Sequence, residues 1–408
     1  MAKPQLFPPP RQRAAAAAAT IPKRPVVMAP HSRLASIDAL RGFNMFWIIG
    51  GGTLLQAVIR FFAGELPNAV QHQMSLAKWE GFTAWNLIMP LFLFLAGTAM
   101  SFSLSRRIEN GHSHGRLYKK VFQRVAALWL LGMIVQGNLL TFNFWQLRLY
   151  SSPLQAIAVG YLIAAIAMFH LERWEHPWVT ILLLAGFWLI VRSLPFGGHA
   201  LGTLEENANI ALYIDKLILG PFRDPDTTFA WILPGLGFGA TVILGMTAGY
   251  LLQSQKSDGT KVAWLGLIGL ACLALGWFVA GGLLKIFLGQ APETTNNLLR
   301  GFWSIRFPII QHIWTSSMVL WAAGWSYLLL ALFYLVIDVW QWRRWAMPFT
   351  VIGANAILAY MLAHLGRWLA SFKLANRLVT PTTQTLIAFA LLWGLLYYLH
   401  RRKWFLRV

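Results

Sequence analysis

Few polar side chains interrupt the apolar stretches of this chain, and those few are where chemistry could reside, because a polar group inside a bilayer is costly. Asp38 and Arg41 stand three residues apart in Ser36-Ile37-Asp38-Ala39-Leu40-Arg41. On a helix they share one face, where they can pair with each other or grip an anionic cofactor. Ser36 suits a helix N-cap and Asp38 the positive helix end. His72 is the one imidazole of the first connecting loop. Near its ordinary pKa it can take a proton from an attacking hydroxyl or amine, or it can simply be solvated. Asn44 and Asn86 carry amides into the first two apolar runs, and Ser316, Asn355, Tyr360 and His364 sit in two later ones, with Gln311 and His312 just ahead of them. Such groups either bond a neighbouring helix or line a polar cavity. The triplet Gly50-Gly51-Gly52 should let its helix end or deform and let a backbone or ligand come close. It lacks the Lys and Ser or Thr that a phosphate loop needs.

Metal chemistry is not expected. His112 and His114 stand without a carboxylate or cysteine beside them, a poor ligand set. Cys272 is the only cysteine, so neither an intrachain disulfide nor a thiolate cluster can form.

The elements that must position these residues follow from composition. Only 12% of the 408 residues are charged and 57% are hydrophobic, against about a quarter charged in soluble domains. The net charge of +20 therefore indicates a membrane-embedded chain with no nucleic-acid partner. Runs of about 20 apolar residues occur near 38–62, 80–104, 118–140, 152–170, 177–194, 227–252, 261–284, 314–338, 344–364 and 383–400. An all-α polytopic bundle of ten transmembrane helices follows, with both termini on one side. Most of the lysines and arginines then fall at the ends on the side of the termini, which makes that side cytoplasmic.

Residues 1–36, rich in Pro, Ala and Arg, read as a disordered basic tail without a signal-type apolar core. Residues 37–408 read as a single membrane domain. Two outer loops, about 195–226 and 285–313, are long enough to expect function in them. Neither a fixed-period repeat nor an inverted pair of broken helices, the signature of many transporters, is visible.

Several motifs in order resemble the heparan-α-glucosaminide N-acetyltransferase family. They are Ser36-x-Asp38-x-x-Arg41-Gly42, Trp79-x-Gly81-Phe82-Thr83 with Pro90, Asp224-Pro225, Leu233-Pro234 before a glycine-rich run, Trp314-Thr315-Ser316-Ser317, and Val351-Ile352-Gly353 with Asn355. The resemblance implies a multi-helix membrane acetyltransferase that takes acetyl-CoA from the cytosolic side and acetylates an amino sugar on the other. Acetyl-CoA would be a cosubstrate, with no tightly bound cofactor and no metal. Asp38, Arg41, Ser316 and Asn355 become candidates to bind it, the acceptor is a sugar or envelope glycan, and the expected location is a bacterial inner membrane. A homo-oligomer stays open.

Departures from the family pattern fall where its chemistry would lie. The resemblance places the catalytic histidine three residues before Trp79, where this chain has Leu76. The acid expected ahead of Pro90 is Asn86, and the first-span acid is Asn44. Two readings follow. In one, His72, about one helical turn before Leu76, supplies the imidazole from a displaced position, and Asn44 and Asn86 position the reactants. In the other, the fold persists as a non-enzymatic ligand-binding or envelope-assembly protein.

Overall fold

Helix is the only regular element among the residues that the computed structural model describes, which are 34–111, 113–282, 306–371 and 381–405. From Ala35 onward they form one compact unit. The basic tail up to residue 33, His112 and loop residues 283–305 lie outside the described residues. Helices suit an apolar chain because they satisfy every backbone donor and acceptor within the segment.

The elements are α1 (Ala35–Phe46) and α2 (Gly52–Ala63), joined by a π-type turn at Trp47–Gly51, then α3 (Asn68–Gln73), α4 (Ile88–Glu109) and α5 (His114–Val135). Next come α6 (Pro153–His170), α7 (His176–Ser193), α8 (Ile210–Leu219), α9 (Gly235–Gln253) and α10 (Asp258–Val279). The last are α11 (Ser316–Phe333), α12 (Met347–Ala354), α13 (Ala356–Ser371) and α14 (Pro381–Arg401).

Each of the ten apolar runs contains a helix. By length and composition, seven helices among the described residues can cross a membrane, or eight if the pair α12 and α13, bent by 80°, is one span. The third run, α5, carries Arg116, Lys119, Lys120 and Arg124 in its first half, which lowers its apolar character. The bend between α12 and α13 falls at Asn355, whose side chain donates to the Trp404 carbonyl at 3.1 Å.

Glycines set the helix packing. A Cβ on Gly97 would overlap the Val242 carbonyl, and one on Gly245 the Phe94 carbonyl, so α4 and α9 meet backbone to backbone. Thr98 reinforces the seam by donating its hydroxyl to the Gly245 carbonyl at 3.0 Å. Gly42 and Gly353 do the same for α1 and α12, facing the carbonyls of Phe349 and Asp38. Two of the family-like motifs, Arg41-Gly42 and Ile352-Gly353, thus contain a packing requirement. In the glycine triplet, Gly50 takes φ 139°, a conformation that L side chains rarely adopt, and breaks the first span there.

The helix start is capped differently from the sequence expectation. The carboxylate of Asp338 accepts from the backbone of Ala35 at 3.3 Å and Ser36 at 3.1 Å. Ser36 is already helical, and its hydroxyl is buried without a hydrogen-bond partner. A carboxylate from another helix can satisfy two orphan N–H groups at once and complements the helix dipole, which displaces the hydroxyl from that task.

Candidate functional site

The connections after α2, α7 and α10 gather at one end of the bundle. Trp79 donates its indole N–H to the Leu204 carbonyl at 2.8 Å, and Gly81 N–H donates to Ile309 at 2.9 Å. Arg306 pairs with Glu80 at 3.1 Å, and Ala230 N–H donates to the His312 carbonyl at 2.9 Å. The Trp79-x-Gly81-Phe82-Thr83 motif is therefore a clasp that holds the first loop against the segment ahead of α11.

Beneath this clasp lies a cavity of about 560 Å³, within the usual size of small-molecule sites. Its walls come from α1, α4, α6, α13 and the joined loops. They are mostly apolar, with Gln136, Ser151, Asp224, Thr227, Gln311, Tyr360 and His364 as polar members. Leu76, 41% exposed, stands in the same wall. Tyr360 and His364 are one turn apart on α13, with ring centroids 4.3 Å apart, and His364 Nδ1 lies 3.0 Å from the Tyr360 carbonyl.

Asn86 is fully buried and is not itself a lining residue, although its neighbour Trp85 and its partner Gln311 are. Its Oδ1 accepts from the Ala77 and Thr83 backbones at 3.1 and 3.0 Å and from the Thr83 hydroxyl at 2.6 Å. Its Nδ2 donates to Gln311 Oε1. One amide so fixes both the clasp and the orientation of the Gln311 side chain. Asn44 is also buried, and its Nδ2 donates to the Ile88 carbonyl at 2.7 Å, on the first turn of α4.

The other candidates lie apart from the cavity. His72 is exposed near the end of α3 and is not among the cavity-lining residues, although Leu76 is. Asp38 and Arg41 pair at 3.7 Å in the first half of α1, so the predicted i, i+3 contact is present. Ser316 donates its hydroxyl to the Leu184 carbonyl at 2.8 Å, and Asn355 is bonded as described. Both join segments of the fold. Among the described residues no group of three or more His, Cys, Asp or Glu could hold a metal ion.

Two titratable groups outside the spanning helices, Asp215 on α8 and His312 ahead of α11, sit in largely non-aqueous surroundings. Burial pushes Asp215 up to about 6, even though its carboxylate accepts from Trp231 and Ile232 N–H at 2.7 and 3.0 Å. Burial also lowers His312, whose ring lies 4.2 Å from Phe229 and 5.4 Å from Trp79.

Sequence reasoning left Gln311, Tyr360 and His364 undecided between helix packing and cavity lining. The fold makes them cavity-lining. The available signal was the i, i+4 spacing of Tyr360 and His364, which puts both on one helical face.

A polytopic helical membrane protein with a small-molecule-sized cavity clasped at one end is the class that this fold and site define. Residues 33–275 match the family described as heparan-alpha-glucosaminide N-acetyltransferase, catalytic, and the chain belongs to that family. It is 23% identical over 435 residues to human heparan-alpha-glucosaminide N-acetyltransferase, covering 92% of this chain and 60% of the human protein. To the mouse protein of that name it is 24% identical over 386 residues, covering 81% and 54% respectively. The chain thus spans little more than half the length of these relatives.

Proposed function

We propose that the protein is an integral membrane acyltransferase that moves an acetyl group from cytosolic acetyl-CoA to an amino sugar or envelope glycan on the outer side of a bacterial inner membrane. The observation that carries this reading is the shared wall of one cavity, in which Leu76, Gln311 and His364 all take part. In this reading the chain crosses the membrane ten times with cytoplasmic termini, and the clasped loops are outside. The recurrence of a helix in each of the ten apolar runs supports it.

Acyl transfer needs a base for the acceptor and donors for the oxyanion. His364, facing the cavity from α13, takes the proton of the acceptor amine as nitrogen attacks the thioester carbonyl. The new C–N bond forms, the C–S bond breaks, and CoA leaves as the thiolate. Gln311 is held through its Oε1 by Asn86, so its Nε2 is the end it can present to the developing oxyanion. Asn86 and Asn44 act as positioning groups, and Asp38 with Arg41 lies toward the donor's entry at the opposite end of α1. His72, exposed near the end of α3 and four residues before Leu76, is the competing base.

A second reading, the fold without the activity, is favoured by one observation. The position where the resemblance expects histidine is Leu76, a cavity-wall residue that cannot accept a proton.

The deciding experiment is transfer of labelled acetyl from acetyl-CoA to glucosamine by the full chain in nanodiscs. The enzyme reading expects transfer by the wild type, a loss of about 10²-fold or more in His364→Ala, and little change in His72→Ala. The reverse pattern makes His72 the base. No transfer by the wild type, with transfer gained in Leu76→His combined with Asn86→Asp, establishes the degenerate reading.

A further inference from the structure

A second cavity of about 510 Å³ lies beside the first, between α1, α2, α3, the first turns of α4, and α11. Trp85 and Ile88 belong to both linings, so these two side chains form the partition. The second lining is almost wholly apolar. Its two amides are engaged in the fold, Asn44 with the Ile88 carbonyl and Gln73 with the Ala84 N–H at 2.9 Å.

The lining includes Ala69 and Met74, on or beside α3 in the clasped first connection, and Leu91 of α4 and Leu329 of α11 within the bundle. A space of this size walled by apolar side chains does not retain water and accepts apolar matter.

We propose that this cavity binds the hydrocarbon tail of a membrane-anchored acceptor whose sugar head occupies the first cavity. Two features select the acceptor's tail as occupant. Part of its lining, Ala69 to Met74, belongs to the clasped first connection, where the proposed function places the acceptor, and it shares Trp85 and Ile88 with the cavity that holds the reacting groups. The acceptor is then an amphiphile, a glycolipid with an amino-sugar head, and Trp85 and Ile88 lie where head and tail join. The inference rests on the proposed function for the identity of the head and on the cavity alone for the tail.

The test uses a decyl glucosaminide with a diazirine at the chain end, photolysed with the full chain in nanodiscs and mapped by mass spectrometry. The label is expected on the Ala69–Met74 stretch or at Leu329. Unlabelled decyl glucosaminide should compete for it, and methyl glucosaminide should not. Ala69→Trp and Leu329→Trp, which fill the space, should lower labelling about tenfold, corresponding to about 1.4 kcal/mol of binding. The wild-type competition stands by itself if either variant fails to fold. Label spread over exposed residues such as Phe61 and Phe62, insensitive to competitor, overturns the proposal. Acetyl transfer to methyl glucosaminide alongside such diffuse labelling leaves the enzyme reading intact and removes the tail site. Mapped, competed labelling without any transfer does the opposite.

Discussion

Asn86 Nδ2 donates to Gln311 Oε1, joining the loop before α4 to the segment before α11 across 225 positions of sequence. The same Asn86 accepts three hydrogen bonds from Ala77 and Thr83, so every polar atom of its side chain is used at zero exposure. Its replacement is informative because both halves of the amide have separate tasks.

Asn86→Leu removes the acceptor for three donors and the partner of Gln311. Leaving buried donors unsatisfied costs about 1–3 kcal/mol each in full burial. The expected result is a loss of about 3 kcal/mol or more of stability, read as a lowered thermal midpoint in nanodiscs. Asn86→Asp keeps the acceptor oxygen for the clasp and requires only that Gln311 turn its Nε2 toward the carboxylate. It should retain most of the wild-type midpoint, and a collapse equal to that of Asn86→Leu would show that the Asn86 donor and not its acceptor holds the clasp.

Gln311→Leu tests the chemistry at some cost in stability, because it leaves the buried Asn86 Nδ2 without its acceptor. In the proposed mechanism its Nε2 faces the oxyanion, and removal of one such donor costs about 10²–10³ in kcat. KM for acetyl-CoA should change little. A fall confined to KM would place Gln311 in ground-state binding.

Much of the fold was legible from apolar run length alone, because helix is the one element that lets a single segment satisfy its backbone in lipid. The glycine-rich run of α9 announced close packing, and Gly245 against the Phe94 carbonyl bears that out. The broken span at Gly50 was equally visible in the glycine triplet. What the sequence could not supply were partners distant along the chain. Asp338 capping α1 and Gln311 meeting Asn86 depend on helix arrangement, which periodicity does not encode. The site was legible by residue type but not by grouping. His364 and Leu76 share a cavity wall although nearly the whole membrane unit separates them in sequence, whereas His72, close to Leu76 in sequence, is exposed on α3.

Two glycine substitutions test whether packing or propensity governs these helices. At Gly245 a methyl group would overlap the Phe94 carbonyl, and backbone cannot give way as a side-chain tip can. Gly245→Ala should cost about 3 kcal/mol or more and lower the yield of folded protein. Gly266, on α10, has nothing within 4 Å of an added Cβ. Gly266→Ala should be neutral or stabilising by up to about 1 kcal/mol, the intrinsic helix preference. Equal destabilisation in both would contradict backbone contact as the reason for the glycine at Gly245.

Asp215 and His312 give pH dependences of opposite sign. Asp215 is raised from 3.8 to about 6, so the folded state binds its proton more tightly than the unfolded chain does. That contribution is fully present below about pH 4 and is lost as pH rises to about 6. His312 is lowered by burial, so its contribution is present above about pH 6.5, the unfolded value, and is lost as pH falls through that value. The two slopes are opposite in sign, so each partly offsets the other in the wild-type thermal midpoint. His312→Phe keeps the ring packed against Phe229 and Trp79 and removes one slope, so its midpoint should fall as pH rises from about 4 to 6. Asp215→Asn removes the other, so its midpoint should fall as pH drops below about 6.5. The Asp215 contribution is about 3 kcal/mol at most, for a rise from 3.8 to about 6 at about 1.4 kcal/mol per pKa unit. Parallel pH profiles for wild type and both variants would show that neither group titrates differently in the folded chain.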